Sequence, residues 1–291
     1  MNLINYNKEI TVITVSYHSS YIIENLIKAL DENIKIIIIE NSLDKKFKEN
    51  LEEKYKNTQV IIPEKNLGVG GGINLGLSLV KTKFALHLSA DTVPNKDTIN
   101  ILLRKASEIK NFSILAPAIE NFTYRDNEYI EKDIKNKFHK MKYVIGAALL
   151  INMESLIKIG KFDENIFLYY EELDFYFRCL KSGLSIYLIE EAKIIHHGAA
   201  SVDKNFNFEI TLNRNWHYNW SKFYYYKKNY GYFYGIKKTA PNLIRSIKMY
   251  FLFILKKDKN KKFLHKAEIQ GLLSSYFLRK SSRRPNLSNK N

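Results

Sequence analysis

From residue 10 onward, short runs of β-branched residues alternate with amphipathic segments, the pattern of a mostly parallel sheet flanked by helices. Ile10 to Ser16 reads as a first strand and Tyr21 to Leu30 as a helix. Ile34 to Ile39, within KIIIIEN, is nearly continuous Ile, as expected of a strand covered on both faces. Phe47 to Tyr55 is predicted helical, Gln59 to Ile62 a third strand, and Ile73 to Val80 a helix entered through NLGVGGG. In KFALHLSADTVP, Phe84 to Leu88 forms a fourth strand that closes at Asp91. Thr92, Val93 and Pro94 are expected to stop any extended strand there, leaving the acid exposed.

The pattern changes after a helix near Thr98 to Ile109. Phe112 to Ala116, Tyr143 to Ile151 and Ser185 to Leu188 are predicted strands, and the polar residues 120 to 140 a loop. From about residue 210 the composition shifts to NWHYNWSKFYYYKKNYGYFYG, aromatic and basic, then to helical segments rich in Lys. This places a boundary between a region 1–209 and a C-terminal region 210–291. Charge divides at the same place. The formal net charge is +16, but residues 214 to 291 hold 19 Lys and Arg against two acids, Asp258 and Glu268, so the remainder is close to neutral. At 291 residues with 45% hydrophobic content the chain can bury a substantial core without staples. Its only cysteine, Cys179, excludes an intramolecular disulfide and suggests a reducing cytosolic compartment. MNLINYNKEI has neither a basic n-region nor a long apolar h-region, so no secretory signal is expected in it.

Ligands of an open parallel sheet bind beyond the carboxyl ends of its strands. Ser16 and Tyr17 follow strand one, Glu40 and Asn41 follow strand two, and Asp91 follows strand four. Each alone is an ordinary turn residue; their recurrence at one edge points to a site. NLGVGGGINLG invites a phosphate-loop reading but matches neither G-x-G-x-x-G nor the Walker pattern, and by itself reads as a flexible turn. FLYYEELDFYFR sets Glu171, Glu172 and Asp174 within four residues of an apolar, aromatic stretch. Acids this close repel one another, which raises at least one pKa toward the range of a general base; a solvated helix start is the plainer alternative. In KIIHHGAAS, His196 and His197 follow an apolar run. A carboxylate with an imidazole suits Mg2+ or Mn2+ completed by phosphate oxygens.

Together VITVSYHSS, IIIIENS, EKNLGVGGGINLG, LSADTVP, YVIGAALLI, GKFDENIFLYYEELDFYFR and KIIHHGAAS resemble the family 2 glycosyltransferases of GT-A fold, most closely their bacterial rhamnosyltransferase-like branch. The likeness runs over roughly residues 10 to 230, with the motifs in the family's order and near its spacing. It implies a GT-A type, Rossmann-like, mostly parallel sheet flanked by helices, with a basic helical C-terminal extension. It makes Ser16, Tyr17 and Glu40 part of a nucleotide pocket, with Asn66 and Gly68 beside it. Asp91 matches the last acid of a D-x-D-type motif that binds the metal on a sugar-nucleotide diphosphate, and His196 the histidine that often completes that site. Glu172 matches the position that is commonly the catalytic base, with Asp174 the alternative. Three departures stand out: Ser89 holds the position of the first D-x-D acid, Glu40 replaces the usual Asp, and Glu172 replaces a common Asp.

The implied enzyme is an inverting, metal-dependent glycosyltransferase. It would move a sugar from a nucleotide-sugar donor, dTDP-rhamnose first and a UDP-hexose next, to a saccharide acceptor, expected to be lipid-linked as in bacterial surface polysaccharide or lipooligosaccharide synthesis. Two rival classes stay open. A nucleic-acid-binding protein would use the basic aromatic tail but leaves Asp91, Glu172 and His196 without a role, so no nucleic acid is expected. A nucleotidyltransferase would carry a glycine-rich signature near strand one, which VSYHSS lacks. In the tail, Leu243, Ile247, Phe251 and Leu255 recur every four residues with Arg245 and Lys248 beside them. The apolar run from Met249 to Leu255 is too short to span a bilayer, and five Lys follow it closely. Peripheral attachment to the inner face of the cytoplasmic membrane is therefore expected.

Overall fold

The structure, a computed structural model, describes residues 6–198 and 207–285. Two compact units emerge: Met1–Leu67, Gly71–Phe162 and Phe175–Asp203 form a sheet unit, and Gly68–Gly70, Asp163–Asp174 and Lys204–Asn291 a helical unit.

The sheet unit opens with α1 (Tyr6–Glu9), β1 (Ile10–Ser16), α2 (Ile23–Lys28), β2 (Lys35–Glu40), α3 (Lys45–Lys54) and β3 (Thr58–Ile61). It continues through α4 (Gly68–Leu79), β4 (Phe84–Leu88), β5 (Thr92–Pro94), α5 (Thr98–Glu108) and β6 (Phe112–Ile119). Then come β7 (Tyr129–Asp133), β8 (Phe138–Met141), β9 (Ala148–Asn152), α6 (Ser155–Ile159), α7 (Glu171–Lys181), whose residues up to Asp174 count with the helical unit, and β10 (Ser185–His196). The strand order is β3-β2-β1-β4-β9-β6-β10-β8-β7, with β5 paired to β10 off that path. β1, β2, β3 and β4 run parallel, as does β6 with β10. The pairs β4–β9, β6–β9, β8–β10, β7–β8 and β5–β10 are antiparallel. The sheet is thus mixed rather than mostly parallel, because β9 enters the middle in reverse and a hairpin extends one edge.

In β2 all residues but Lys35 are buried, as the unbroken Ile run requires. Each fully buried Ile contributes about 1.5–3 kcal/mol through removal of apolar surface from water. One core layer joins Ile10 and Val12, Ile36 and Ile38, and Phe84 and Leu86 to Leu102 and Leu103 of α5. Expectation fails where polarity misleads. Residues 129–141 form the β7–β8 hairpin instead of a loop, with β7 half-exposed and charged as suits an edge strand. β5 forms despite Pro94, since it pairs only with β10. The strand expected from Tyr143 begins at Ala148, after a turn.

α4 begins at Gly68, five residues before the periodic apolar positions begin, so the glycines lie within the helix. A methyl group on Gly76 would sit 2.5 Å from Ile13 Cγ2, and one on Gly72 2.9 Å from Val15 Cγ2. Glycine here costs helix propensity but lets α4 lie directly on β1. Gly76→Ala is expected to destabilise the protein by about 1–3 kcal/mol through overpacking, measured by denaturant titration. The helical propensity gained works against that loss, so an unchanged or raised midpoint would show that the contact relaxes freely.

The helical unit contains α8 (Asn207–Tyr230), α9 (Tyr232–Leu255) and α10 (Lys259–Tyr276). Trp216 and Trp220 are buried and stack on one another, Trp220 also stacks on Tyr224, and Ala267 of α10 lies against them. Gly271 lets α10 approach α8 closely, since a side chain there would collide with the Trp216 carbonyl. Among the described residues no helix is long and apolar enough to cross a membrane.

Candidate functional site

The candidate residues fall into two groups, one in each unit. In the sheet unit, parallel pairing sets Ser16 opposite Glu40 at the carboxyl ends of β1 and β2. The Asn41 amide donates to the Ser16 carbonyl at 2.8 Å, and the Asn41 side-chain oxygen accepts from the Leu67 amide at 3.2 Å. The turn after β1 is tight, with His18 at φ 53° and its ring edge-on to Tyr17. Glu40 is buried and accepts from the Ser42 amide at 2.8 Å and from the Ser42 hydroxyl. Burial raises its pKa, although the hydroxyls of Ser16 and Ser42 and the Ser42 amide act the other way. Burial, with the Glu40 charge as a second cause, pushes the Tyr17 phenol up to about 12.

Asp91 is only 3% exposed, which corrects the expectation of an exposed acid. Three features cover it. The Ser89 amide is held by the Ala147 carbonyl at 2.8 Å, the Asp91 carbonyl accepts from the His197 amide at 3.1 Å, and Thr92 pairs with His196 across β5 and β10. That pairing brings His196 Nε2 to 3.5 Å from Asp91 Oδ1. The GAAS end of the histidine motif runs out of the described residues after Gly198, with Ala199, Ala200 and Ser201 beyond them. Among the described residues no cluster of three or more His, Cys, Asp or Glu side chains is placed to hold a metal ion. The donor set of one carboxylate oxygen and one imidazole still fits Mg2+ or Mn2+ that takes its other ligands from phosphate and water.

Asn66 is half-buried in the turn before α4, in the sheet unit. Gly68 belongs to the helical unit, at φ +75°, where a side chain would stand 2.1 Å from the Phe167 carbonyl. The Val69 amide donates to that same carbonyl at 3.0 Å. The glycine turn therefore spends its backbone on packing, and two of its amides, Leu67 and Val69, already have protein acceptors.

In the helical unit, Tyr169 and Tyr170 both have positive φ, 63° and 70°, immediately before α7. Two bulky residues in that region are strained, and the surroundings hold them there. Tyr218 of α8 packs edge-on against Tyr169, and Tyr218 and Tyr225 both pack against Tyr170. The three acids at the start of α7 then meet different fates. Asp174 is fully buried and bonded by Lys228 Nζ at 2.8–2.9 Å and by Asn229 Nδ2 at 3.3 Å. Lys228 also pairs with Asp163 at 2.7 Å, and Tyr224 donates to Asp163 at 3.0 Å. Burial opposes the Asp163 charge, but Lys228 and Asn165 outweigh it and lower that pKa. Glu171 is 6% exposed and Glu172 half-buried, and in each the Oε2 atom is buried without a hydrogen-bond partner among the described residues. Burial raises the Glu171 pKa well above its ordinary value, with the Glu172 charge adding to it; burial raises Glu172 as well.

Sequence reasoning missed Lys228. It sits 54 residues from Asp174 inside a run that reads as a basic tail, so no local spacing marks it. His87 and His217 were also missed. Both are buried, and burial lowers each pKa to about 4.

Comparison with known proteins shows the family and the fold. The family model described as glycosyl transferase family 2 matches residues 11–160, and the chain belongs to that family. It is 23% identical over 209 residues to the low-salt glycan biosynthesis hexosyltransferase Agl10 of Haloferax volcanii, covering 65% of this chain and 67% of that protein. It is 23% identical over 216 residues to the dTDP-rhamnosyl transferase RfbF of Shigella flexneri, covering 65% and 69%. Among solved structures, the fold resembles the mannosyltransferase PcManGT of Pyrobaculum calidifontis in complex with GDP-Man and Mn2+, with a TM-score of 0.57, 12% identity, and 94% and 88% of the two chains covered. It also resembles GalNAc-T7 with UDP, GalNAc and Mn2+, with a TM-score of 0.55 and 13% identity; 65% of this chain matches 43% of that longer one.

A neutral buried histidine makes stability depend on pH with a definite sign. The unfolded rings take up protons near pH 6.5 and the folded ones only near 4, so His87 and His217 each remove stability as pH falls from about 6.5 toward 4. Their NMR imidazole signals are expected to stay those of neutral rings at pH 5.5. Protonation of either near 6.5 in the folded protein would contradict its burial.

Proposed function

We propose that this protein is an inverting glycosyltransferase that moves a sugar from a nucleoside-diphosphate sugar to a saccharide acceptor. Family membership gives the reaction class its support. The observation that carries the chemistry is the contrast within α7, where Glu172 has a raised pKa and an oxygen without a partner among the described residues, while Asp174 is spent in an ion pair. Glu171 shares the raised pKa and the oxygen without a partner among the described residues but is only 6% exposed, whereas Glu172 is half-buried and open to an acceptor, which favours Glu172 as general base. On this reading Asp174 holds α7 to Lys228 and is not the base.

Glu172 takes the proton of the acceptor hydroxyl as that oxygen bonds to the anomeric carbon, and the bond from that carbon to the diphosphate breaks on the opposite side. Attack from the opposite face inverts the anomeric centre. Ser16, Tyr17 and Glu40, with Asn66, hold the nucleoside, and Gly68 shapes the adjoining turn. Asp91 and His196 are the residues that would hold a divalent ion, which would supply positive charge against the diphosphate. With Ser89 in place of a second acid, Asp91 and His196 are the two donors offered among the described residues, and the donor phosphates would have to complete the set.

The donor is proposed as dTDP-rhamnose, with a UDP-hexose next, supported by the sugar chemistry named for the two relatives above. The acceptor is proposed as a lipid-linked saccharide in bacterial surface polysaccharide or lipooligosaccharide synthesis. Such an acceptor calls for a protein at the inner face of the cytoplasmic membrane, and the basic C-terminal region supports that location.

Glu172→Gln is expected to lower turnover by about 10²–10⁴-fold with nucleotide-sugar affinity nearly unchanged. Asp174→Asn is expected instead to cost about 1.5–3 kcal/mol of stability, because a buried charged hydrogen bond to Lys228 is weakened while Lys228 keeps Asp163. Steady-state kinetics and denaturant melts of both variants check this. Near wild-type turnover in Glu172→Gln, with turnover lost in a folded Asp174→Asn, would move the base to Asp174.

For the metal, Asp91→Ala and His196→Ala should each remove the rise in melting temperature that Mn2+ adds to a nucleotide-sugar mixture, read by thermal shift. An unchanged Mn2+ response in both variants would place the ion elsewhere.

A further inference from the structure

A helix on the surface of a water-soluble protein turns its large apolar side chains inward and its small or polar ones outward. α9 does the reverse. Its buried positions are Gly235, Thr239 and Ser246. Gly235 gives room to the ring of Phe223, which a methyl group there would approach to 2.8 Å. The Thr239 hydroxyl donates to the Gly235 carbonyl at 2.7 Å and lies 2.8 Å from the Tyr276 hydroxyl, while Ser246 donates to Glu268 at 2.6 Å. The outward stripe is Phe233, Ile244, Ile247, Phe251, Ile254 and Leu255, of which Phe233 is 86%, Phe251 59% and Leu255 80% exposed. At the angular spacing of an α-helix these six fall within an arc of about 100°.

The charge around the stripe has one sign. Lys237, Arg245 and Lys248 border it, Lys256 and Lys257 follow it, and Lys259, Lys261 and Lys262 open α10. α9 contains no acid. The two acids nearby oppose only part of this charge: Asp258 caps α10 by accepting from the Lys261 amide at 3.0 Å and lies 3.6 Å from Lys261 Nζ, and Glu268, buried with Ser246 and His265, lies 3.7 Å from Arg245, against eight basic side chains in all. A second copy of this face would set one row of cations against another, which opposes self-pairing. An anionic bilayer complements both features, since acyl chains receive the apolar stripe and headgroup phosphates receive the lysines.

We infer that the outward stripe of α9, with the lysines that frame it and follow it into α10, is a docking surface for an anionic lipid bilayer, lying in the headgroup region without crossing the membrane. The inference rests on the membrane location proposed above to the extent of naming its surface and lipid chemistry. It stands on the helical unit alone, whatever reaction the protein performs.

Full-length protein is floated with phosphatidylglycerol–phosphatidylcholine vesicles and with pure phosphatidylcholine vesicles, at low and high salt. It is expected to rise with the anionic vesicles at low salt, to bind neutral ones far less, and to be released by salt. Phe251→Asp with Leu255→Asp, and separately Lys256→Glu with Lys257→Glu, are each expected to weaken binding by at least about tenfold. Their thermal midpoints should be unchanged, because all four side chains are exposed. Absence of binding at low salt, equal binding to neutral vesicles, or binding unaffected by both double variants overturns the inference. So does a lipid-free dimer in sedimentation that Phe251→Asp with Leu255→Asp dissociates, since the stripe would then belong to a second copy. Nucleotide-sugar binding is measured in the same preparations. Loss of vesicle binding with donor binding kept removes only the membrane surface, and the opposite result removes only the sugar-transfer reading.

Discussion

Backbone pairing along β1 is the constraint on which the sheet unit depends. β1 pairs with β2 on one side and β4 on the other, all parallel, so three strands deliver their carboxyl ends to one edge. The register sets Ser16 opposite Glu40, and a slip of one residue would turn the side chains of β1 to the wrong face. α4 locks that register from above. Because its glycines remove the Cβ atoms facing Ile13 and Val15, the helix backbone itself becomes the surface on which β1 packs. Asp91 enters the same edge from β4, but its histidine arrives from the opposite direction along β10. The short β5–β10 pairing is what joins them.

The acids of α7 show how partner supply decides the fate of charge. Three carboxylates within four residues cannot all be desolvated at once without compensation. α8 supplies Lys228 and Asn229 to one of them, Asp174, and leaves the unpartnered oxygens of Glu171 and Glu172 to carry the cost of burial. The strained pair Tyr169 and Tyr170 adds to that cost, and the rings of Tyr218 and Tyr225 hold it in place. Expense concentrated on a few residues is what a protein tolerates where chemistry is done.

The C-terminal helices place their charge under different rules. Their internal surfaces are joined by buried Trp rings, glycine contacts and hydroxyl bonds, and among the described residues Phe233, Ile244, Phe251, Ile254 and Leu255 of α9 are left exposed. The excess of Lys and Arg lies in the same region and has almost no acids to oppose it. Apolar exposure and unopposed charge therefore occur together, on a unit whose own packing does not require either.

Much of the sheet was legible in the chain itself. The Ile run of β2, the alternation of strands with amphipathic helices, and polar residues at successive strand ends all follow from local periodicity, which is a property of neighbouring residues. The same periodicity marked α9 as amphipathic, and the acid cluster marked α7 as unusual. Other features had no local sign. β7 and β5 carry charge and proline that argue against strands, and only the antiparallel partners β8 and β10 make them so. Asp91 looked exposed because nothing near it in sequence covers it; residues about a hundred positions later do. Glu172 and Asp174 lie two residues apart, and what separates their surroundings, the ion pair of Asp174, comes from Lys228 far along the chain. Periodicity determined which segments become strands and helices, since that depends on side chains a few residues apart. Burial, charge pairing and the outward turn of α9 were decided by tertiary structure, since each depends on a partner brought from far along the chain.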